Sequence, residues 1–132
     1  MNKEILNPIQ WAKPKGYSHL IKVKSGTDLY IAGQASFDQK GDLVGEGDFC
    51  KQYEQTIDNI QVVLENGGAK LTDIVKMTIY CTDMQNLKQH HRECADIYTK
   101  YFRQYYPAVT VFEVNKLFLS GMMKEIDVVA VI

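Results

Sequence analysis

The chain of 132 residues has little of what marks the specialised classes of protein. Its three cysteines, Cys50, Cys81 and Cys94, are odd in number and far apart, and no C-x-x-C pair occurs. A disulfide framework is therefore not expected, and a reducing compartment, the cytoplasm, is the expected location. No apolar run approaches the length that spans a bilayer, and the opening residues carry no apolar core of a signal peptide, so no membrane partner is expected. Charge of either sign is not in excess. Fifteen Lys+Arg stand against sixteen Asp+Glu, a net charge of -1. Neutralising phosphates takes a basic face, so composition gives no support to a nucleic-acid partner. Internal repeats and low-complexity tracts are absent.

What is present suits one globular domain over residues 1–132: hydrophobic residues make up 45% and charged residues 23%. Residues 1–16 hold Pro8, Pro14 and Gly16 and read as an irregular lead-in. Residues 19–23 and 28–33 read as two strands, with Ser25-Gly26-Thr27 as the turn of a hairpin between them. The stretch to Gly47 is a glycine-rich loop. From Asp48 the period changes: Tyr53, Ile57, Ile60 and Leu64 form one stripe of a helix, with Asp48 as N-cap and Gly67-Gly68 as the stop. Residues 71–81 alternate as a strand. A second helix spans roughly 87–105, closed by Pro107, and strands follow over 108–114 and 124–132. The order β-β-α-β-α-β-β makes an α+β fold, a mixed five- to six-stranded sheet with two helices on one face.

The other face is the informative one. Alternation gives it Thr78, Tyr80, Val109, Val111 and Glu125, too apolar for water and too polar for a sealed core. Contact with other subunits, lining a cavity there, is the economical solution. Lys124 is turned to the opposite face. His91 and Cys94 stand three apart on one helix face, a spacing that can hold a metal. No third or fourth ligand accompanies them, so no metal is expected, and His91 reads as a core histidine. Cys81 reads as core on the helix side of its strand. The glycines at 41, 45 and 47 lead into no phosphate-binding pattern, and no cofactor is expected.

The order and spacing of several motifs resemble a known family. They are Ile31-Ala32-Gly33-Gln34, Gln55 with Asn59-Ile60, Gly68-Ala69, Asp73 to Thr78, Asp83-Met84, Tyr98 with Tyr101-Phe102, Pro107-Ala108-x-Thr110, Leu117, and Glu125-Ile126-Asp127. Together they resemble the Rid family of reactive-intermediate deaminases, also called the YjgF family, over about residues 16–131. The resemblance implies a chorismate-mutase-like homotrimer with a central β-barrel and three clefts between subunits. It implies hydrolysis of reactive enamines and imines, with an Arg after Pro-Ala gripping the substrate carboxylate and a Glu on the last strand positioning water. On this sequence Tyr17, Gly33 and Glu125 fall on the family positions. Ala32 replaces the common Ser, Val109 stands in the place of the Arg, and Ala95 lies near the place of a cleft-facing Asn. The ligand-binding set so implied is Tyr17, Ala32, Gly33, Val109, Val111 and Glu125, with His91 and Ala95 beside it and Glu125 as the catalytic candidate.

The replacement at Val109 has a physical consequence. An Arg holds a carboxylate by two parallel charge-assisted hydrogen bonds, each worth roughly 1.5–3 kcal/mol, and Val has no donor. Three functions remain open at this point. One is a trimer binding a small metabolite without the usual deaminase activity. Another is a hydrolase of enamines or imines on a different substrate, with Glu125 activating water. The third is an endoribonuclease or translation inhibitor, a label carried by some relatives, against which the neutral charge argues.

Overall fold

The computed structural model describes residues 2–132. Its strands are β1 (Lys3–Leu6), β2 (Leu20–Val23), β3 (Asp28–Gln34), β4 (Ile74–Cys81), β5 (Ala108–Glu113) and β6 (Lys124–Val131). Its helices are α1 (Phe49–Asn66), α2 (Met84–Gln89) and α3 (His91–Phe102), with a 3-10 turn at Leu71–Asp73. β3, β6, β4 and β5 form the main sheet in that order, with β4 and β5 parallel and the other neighbours antiparallel. Among the described residues no helix is long and apolar enough to cross a membrane.

The core lies between this sheet and α1 and α3. Ile57, Ile60, Leu64, Phe102, Ile74, Met77, Ile126 and Val128 are all buried there. The α1 stripe expected from the sequence is the buried face. Asp48 caps the helix by accepting a hydrogen bond from the Lys51 amide at 3.0 Å. Gln52, buried in the same helix, donates to the carbonyl oxygens of Gly45 and Gly121 and accepts from the Met123 amide. One side chain thus ties the glycine loop to the turn before β6. Lys124 and Cys81 both point into the helix side, as the alternation required.

Five expectations need correcting. The lead-in is not wholly irregular, because Lys3–Leu6 pairs with Leu20–Val23 as a two-stranded ribbon. The hairpin between residues 19–23 and 28–33 does not form. β2 pairs with β1 and crosses the end of the main sheet instead. It runs from Ser18, bridged to Ala108, to Thr27, which exchanges hydrogen bonds with Ile132. The main sheet accordingly has four strands, not five or six. The turn is specified locally: Gly26 has φ +142°, and a Cβ there would stand 2.6 Å from Val131 Cγ1 and 2.8 Å from the Ile132 oxygen.

The second helix is two helices. The break falls at His90, whose ring nitrogen Nδ1 lies 2.8 Å from the Asn86 oxygen and whose ring stacks on Phe49. The short α2 buries no residue, and α1 and α3 are the two helices that cover the sheet. This phase makes His90 the packed histidine and leaves His91 exposed, against the expectation of a core His91.

Candidate functional site

β6 is the central antiparallel strand, and it presents its two sides differently. Lys124, Ile126, Val128 and Ala130 are buried under the helices, and Glu125, Asp127 and Val129 alternate onto the open face. Glu125 stands beside Tyr80 of β4, and Asp127 beside Thr78. On the other side, β3 pairs Ile31 with Val128 and then Gln34 with Ile126, so it carries one extra residue across Ala32 and Gly33. That is a β-bulge, the device that re-aims a strand beside a site.

Gly33 sits directly against the Glu125 side chain. A Cβ built on Gly33 would lie 2.8 Å from both Cδ and Oε1 of Glu125. Any larger residue displaces the carboxyl, so glycine keeps a bare stretch of backbone next to a carboxylate. The sequence singled out both residues, and the fold brings them together with Ala32. Around them the open face is polar with an aromatic floor. Tyr80 stacks on Phe112 with centroids 6.1 Å apart, and its hydroxyl donates to Asp127 Oδ2 over 3.5 Å. The Asp127 charge, then slight burial and the Glu125 charge, hold the Tyr80 phenol above its ordinary value. Lys76 donates to Thr110 Oγ1 at 2.7 Å. It is level with Val129, four residues along β6 from Glu125.

Val109 and Val111 need a correction. β5 pairs in parallel with β4, with Met77 beside Val109 and Ile79 beside Val111. Neighbours in register point the same way. Met77 and Ile79 are core residues, so the two valines face the helix side and not the Glu125 side. Val109 packs against the core, and Val111, past the helix cover, is exposed. The open-face residues of β5 are Ala108, Thr110 and Phe112. Alternation within β5 shows which residues share a face but not which face that is, and the pairing with β4 turns Val109 and Val111 the other way.

The remaining candidates lie apart. Ser18 donates from its amide to the Pro107 oxygen at 2.9 Å and from its hydroxyl to the Tyr106 oxygen at 2.6 Å, which places Tyr17 at the start of β5. Tyr17 meets His19 edge-on, and His19 meets Trp11 in the same way. Within one protomer Tyr17 and Val109 are therefore near each other. Glu125 is two strand spacings away from β5, about 10 Å, and on the opposite face from Val109. His91 and Ala95 are exposed on α3. No cation pairs with Glu125 among the described residues. Lys124 is on the far face, and Arg103 and Lys116 are exposed on connections.

Two features escaped the sequence reading. Asp127 shares the open face with Glu125, and their spacing of two in one strand was the available signal. Beyond Gln34, a groove of about 650 Å³ is lined by Gln55, Asn59, Asp38, Asp58 and Glu65, and only the fold assembles it. No group of three or more His, Cys, Asp or Glu side chains that fits a metal ion occurs among the described residues.

Comparison with known proteins agrees with this architecture. Residues 10–132 match the family model described as Endoribonuclease L-PSP. A RutC family protein of Pyrococcus abyssi is 35% identical over 118 residues, 89% of this chain and 88% of its own length. A crystal structure of a Rid-family protein of unknown function from Yersinia pestis is 32% identical, covers 100% of both chains and superposes with a TM-score of 0.89. RidA from an Antarctic Psychrobacter species is 30% identical over 92% of each chain, with a TM-score of 0.70. With a family model spanning all but the first nine residues, and relatives of this identity covered nearly end to end, the chain belongs to the Endoribonuclease L-PSP family, that of the Rid and RutC proteins.

Proposed function

We propose that this chain is a single Rid-like domain forming a cytoplasmic homotrimer that binds a small, weakly charged metabolite in clefts between subunits. In this reading it has little of the 2-imino acid deaminase activity of its Arg-bearing relatives. The observation that carries the proposal is the pair formed by Gly33 and Glu125, a carboxylate against bare backbone, together with the lack of any cation beside them. A peptide group and a carboxylate together offer donors and acceptors to a neutral polar ligand. An anionic ligand meets Glu125 and Asp127 with no guanidinium to balance them. Losing a bidentate Arg contact costs about 3–5 kcal/mol of binding, roughly two to three decades or more in affinity.

A second reading keeps catalysis. Glu125 orients a water for attack on an uncharged enamine or imine, with the Gly33 peptide against the substrate. The tight Gly33–Glu125 approach supports it equally. An endoribonuclease finds less support, because the open face carries Glu125 and Asp127 against the single Lys76.

Calorimetric titration of a small carboxylic acid and its amide analogue, with the natural chain and with Gly33→Ala, tests the proposal. The amide is expected to bind more tightly than the acid, and Gly33→Ala to weaken it at least tenfold. Tighter binding of the acid would sink the proposal.

A further inference from the structure

Two strand edges of this fold lie open, and both belong to the same chain. The outer edge of β3 is unpaired over Asp28–Gln34, since β3 bonds only β6. Exposed seven-residue edges are templates for another strand. Tyr30 on this edge is 78% exposed, and Val63 of α1, which lines a shallow hollow with it, 39%. β2 is bonded on one side by β1 and is open on the other. A four-residue connection, 24–27, joins β2 to β3, yet the two cannot meet within the chain as it is built. Ser18 is fastened at Tyr106 and Pro107, Thr27 at Ile132, and Gly26 is seated where only glycine fits. Lys3 fastens β1 as well, donating to the Thr72 oxygen and, at 3.2 Å, to the Tyr105 hydroxyl.

Charge is divided in the same way. Residues 2–24 hold five lysines and one glutamate, whereas residues 25–132 hold ten basic and fifteen acidic side chains. The groove along the β3 edge contains Asp38, Asp58 and Glu65 and no cation. A basic arm and an acidic groove on one chain are complementary between copies.

We infer that the open edge of β3 receives β2 of a second copy of this chain, antiparallel, so that the arm of each protomer completes the sheet and the Gly33–Glu125 site of its neighbour. The register is that of the hairpin the short connection would close: Val23 faces Asp28 and Ile21 faces Tyr30. The extra residue at Ala32 and Gly33 shifts the count by one beyond Ile31, so Ser18 faces Gln34 and Tyr17 lies one residue further, level with Glu125. Tyr17 has the same parity as Ile21, so its ring comes onto the open face with Glu125. The structure otherwise leaves Tyr17 at β5, remote from that site. Strand exchange of this kind is a low-cost route to an oligomer. The role of Tyr17 rests on the proposed ligand site; the strand pairing does not.

Disulfide trapping tests the exchange. Two differently tagged full-length chains, both carrying Cys94→Ser, are co-expressed, one with Ile21→Cys and the other with Tyr30→Cys, and mildly oxidised. The expected product is a covalent pair of the two chains whose linked peptides contain positions 21 and 30. A chain carrying both substitutions that closes only on itself shows an internal hairpin and overturns the inference, as does no link at all between folded chains. As a second measurement, Lys22→Glu with Lys24→Glu is expected to weaken self-association at least tenfold by light scattering, and unchanged mass at every concentration counts against the inference. A trapped pair that still binds no ligand ends the ligand reading and leaves the exchange standing.

Discussion

Lys124 offers the sharpest energetic test of this fold. It is 2% exposed, with its ammonium 3.6 Å from the centroid of Tyr53 and 4.7 Å from that of Phe49. The thiols of Cys50 on α1, Cys81 on β4 and Cys94 on α3 surround it, and no carboxylate pairs with it. Burial pushes its pKa down from 10.5 to about 8, against the smaller opposing pull of the three thiols. The sign follows. The folded chain resists protonation at this site more than the unfolded chain does. Below pH 8 folding therefore carries a buried charge at full cost, and stability recovers as pH rises from about 8 to 10.5. At about 1.4 kcal/mol per pH unit that cost is about 3 kcal/mol, and the two ring contacts offset about 1–2 kcal/mol of it. Lys124→Met keeps the length and places a thioether against the same rings. The variant is expected to be more stable than the natural chain by about 1–3 kcal/mol at pH 7, with the gain gone by pH 10.5. Urea unfolding of both chains at a fixed protein concentration, at the two pH values, measures it. Taking the difference between the chains cancels the tyrosines, which titrate in the same range. A variant less stable at pH 7 and equally so at pH 10.5 would refute the reasoning.

Other expectations follow from single contacts. Asp48→Ala removes the α1 cap and should cost about 1 kcal/mol of stability in the same assay, with Asp48→Asn nearly neutral. Gln52→Ala strands the Gly45 and Gly121 carbonyls and the Met123 amide, and a loss of about 2–3 kcal/mol is expected from chemical denaturation. Phe102→Ala opens a cavity in the core beside Tyr98 and should cost about 3–5 kcal/mol. Gly33→Ala should leave the unfolding midpoint almost unchanged, since the displaced group is the flexible end of Glu125, and should act on ligand binding instead.

Much of this was legible from residue order. Asp48 and Gly67-Gly68 mark the ends of α1 because capping is local chemistry, and the phase of β6 placed Lys124 and Glu125 on opposite faces. Resemblance over many motifs led to Gly33 and Glu125, which the fold brings into contact. What failed was long-range. Ser25-Gly26-Thr27 reads as a hairpin, but bonds from Thr27 to Ile132 and from Ser18 to Pro107 carry β2 across the sheet end. Val109 and Val111 changed face because strand direction and register come from partners such as Met77 and Ile79, which alternation within one strand does not reveal. The thiols and rings around Lys124 come from β4, α1 and α3, and no spacing in the sequence announces them.

The proposed function rests on the lack of a cation beside Glu125 among the described residues, with Val109 in the sequence place of the family Arg. The most direct measurement generates 2-iminobutanoate enzymatically and follows its loss with the natural chain, Glu125→Ala, Val109→Arg and an Arg-bearing relative side by side. The natural chain is expected to fall short of the relative by about two decades or more and to match Glu125→Ala. Loss as fast as with the relative, abolished by Glu125→Ala, would contradict the account.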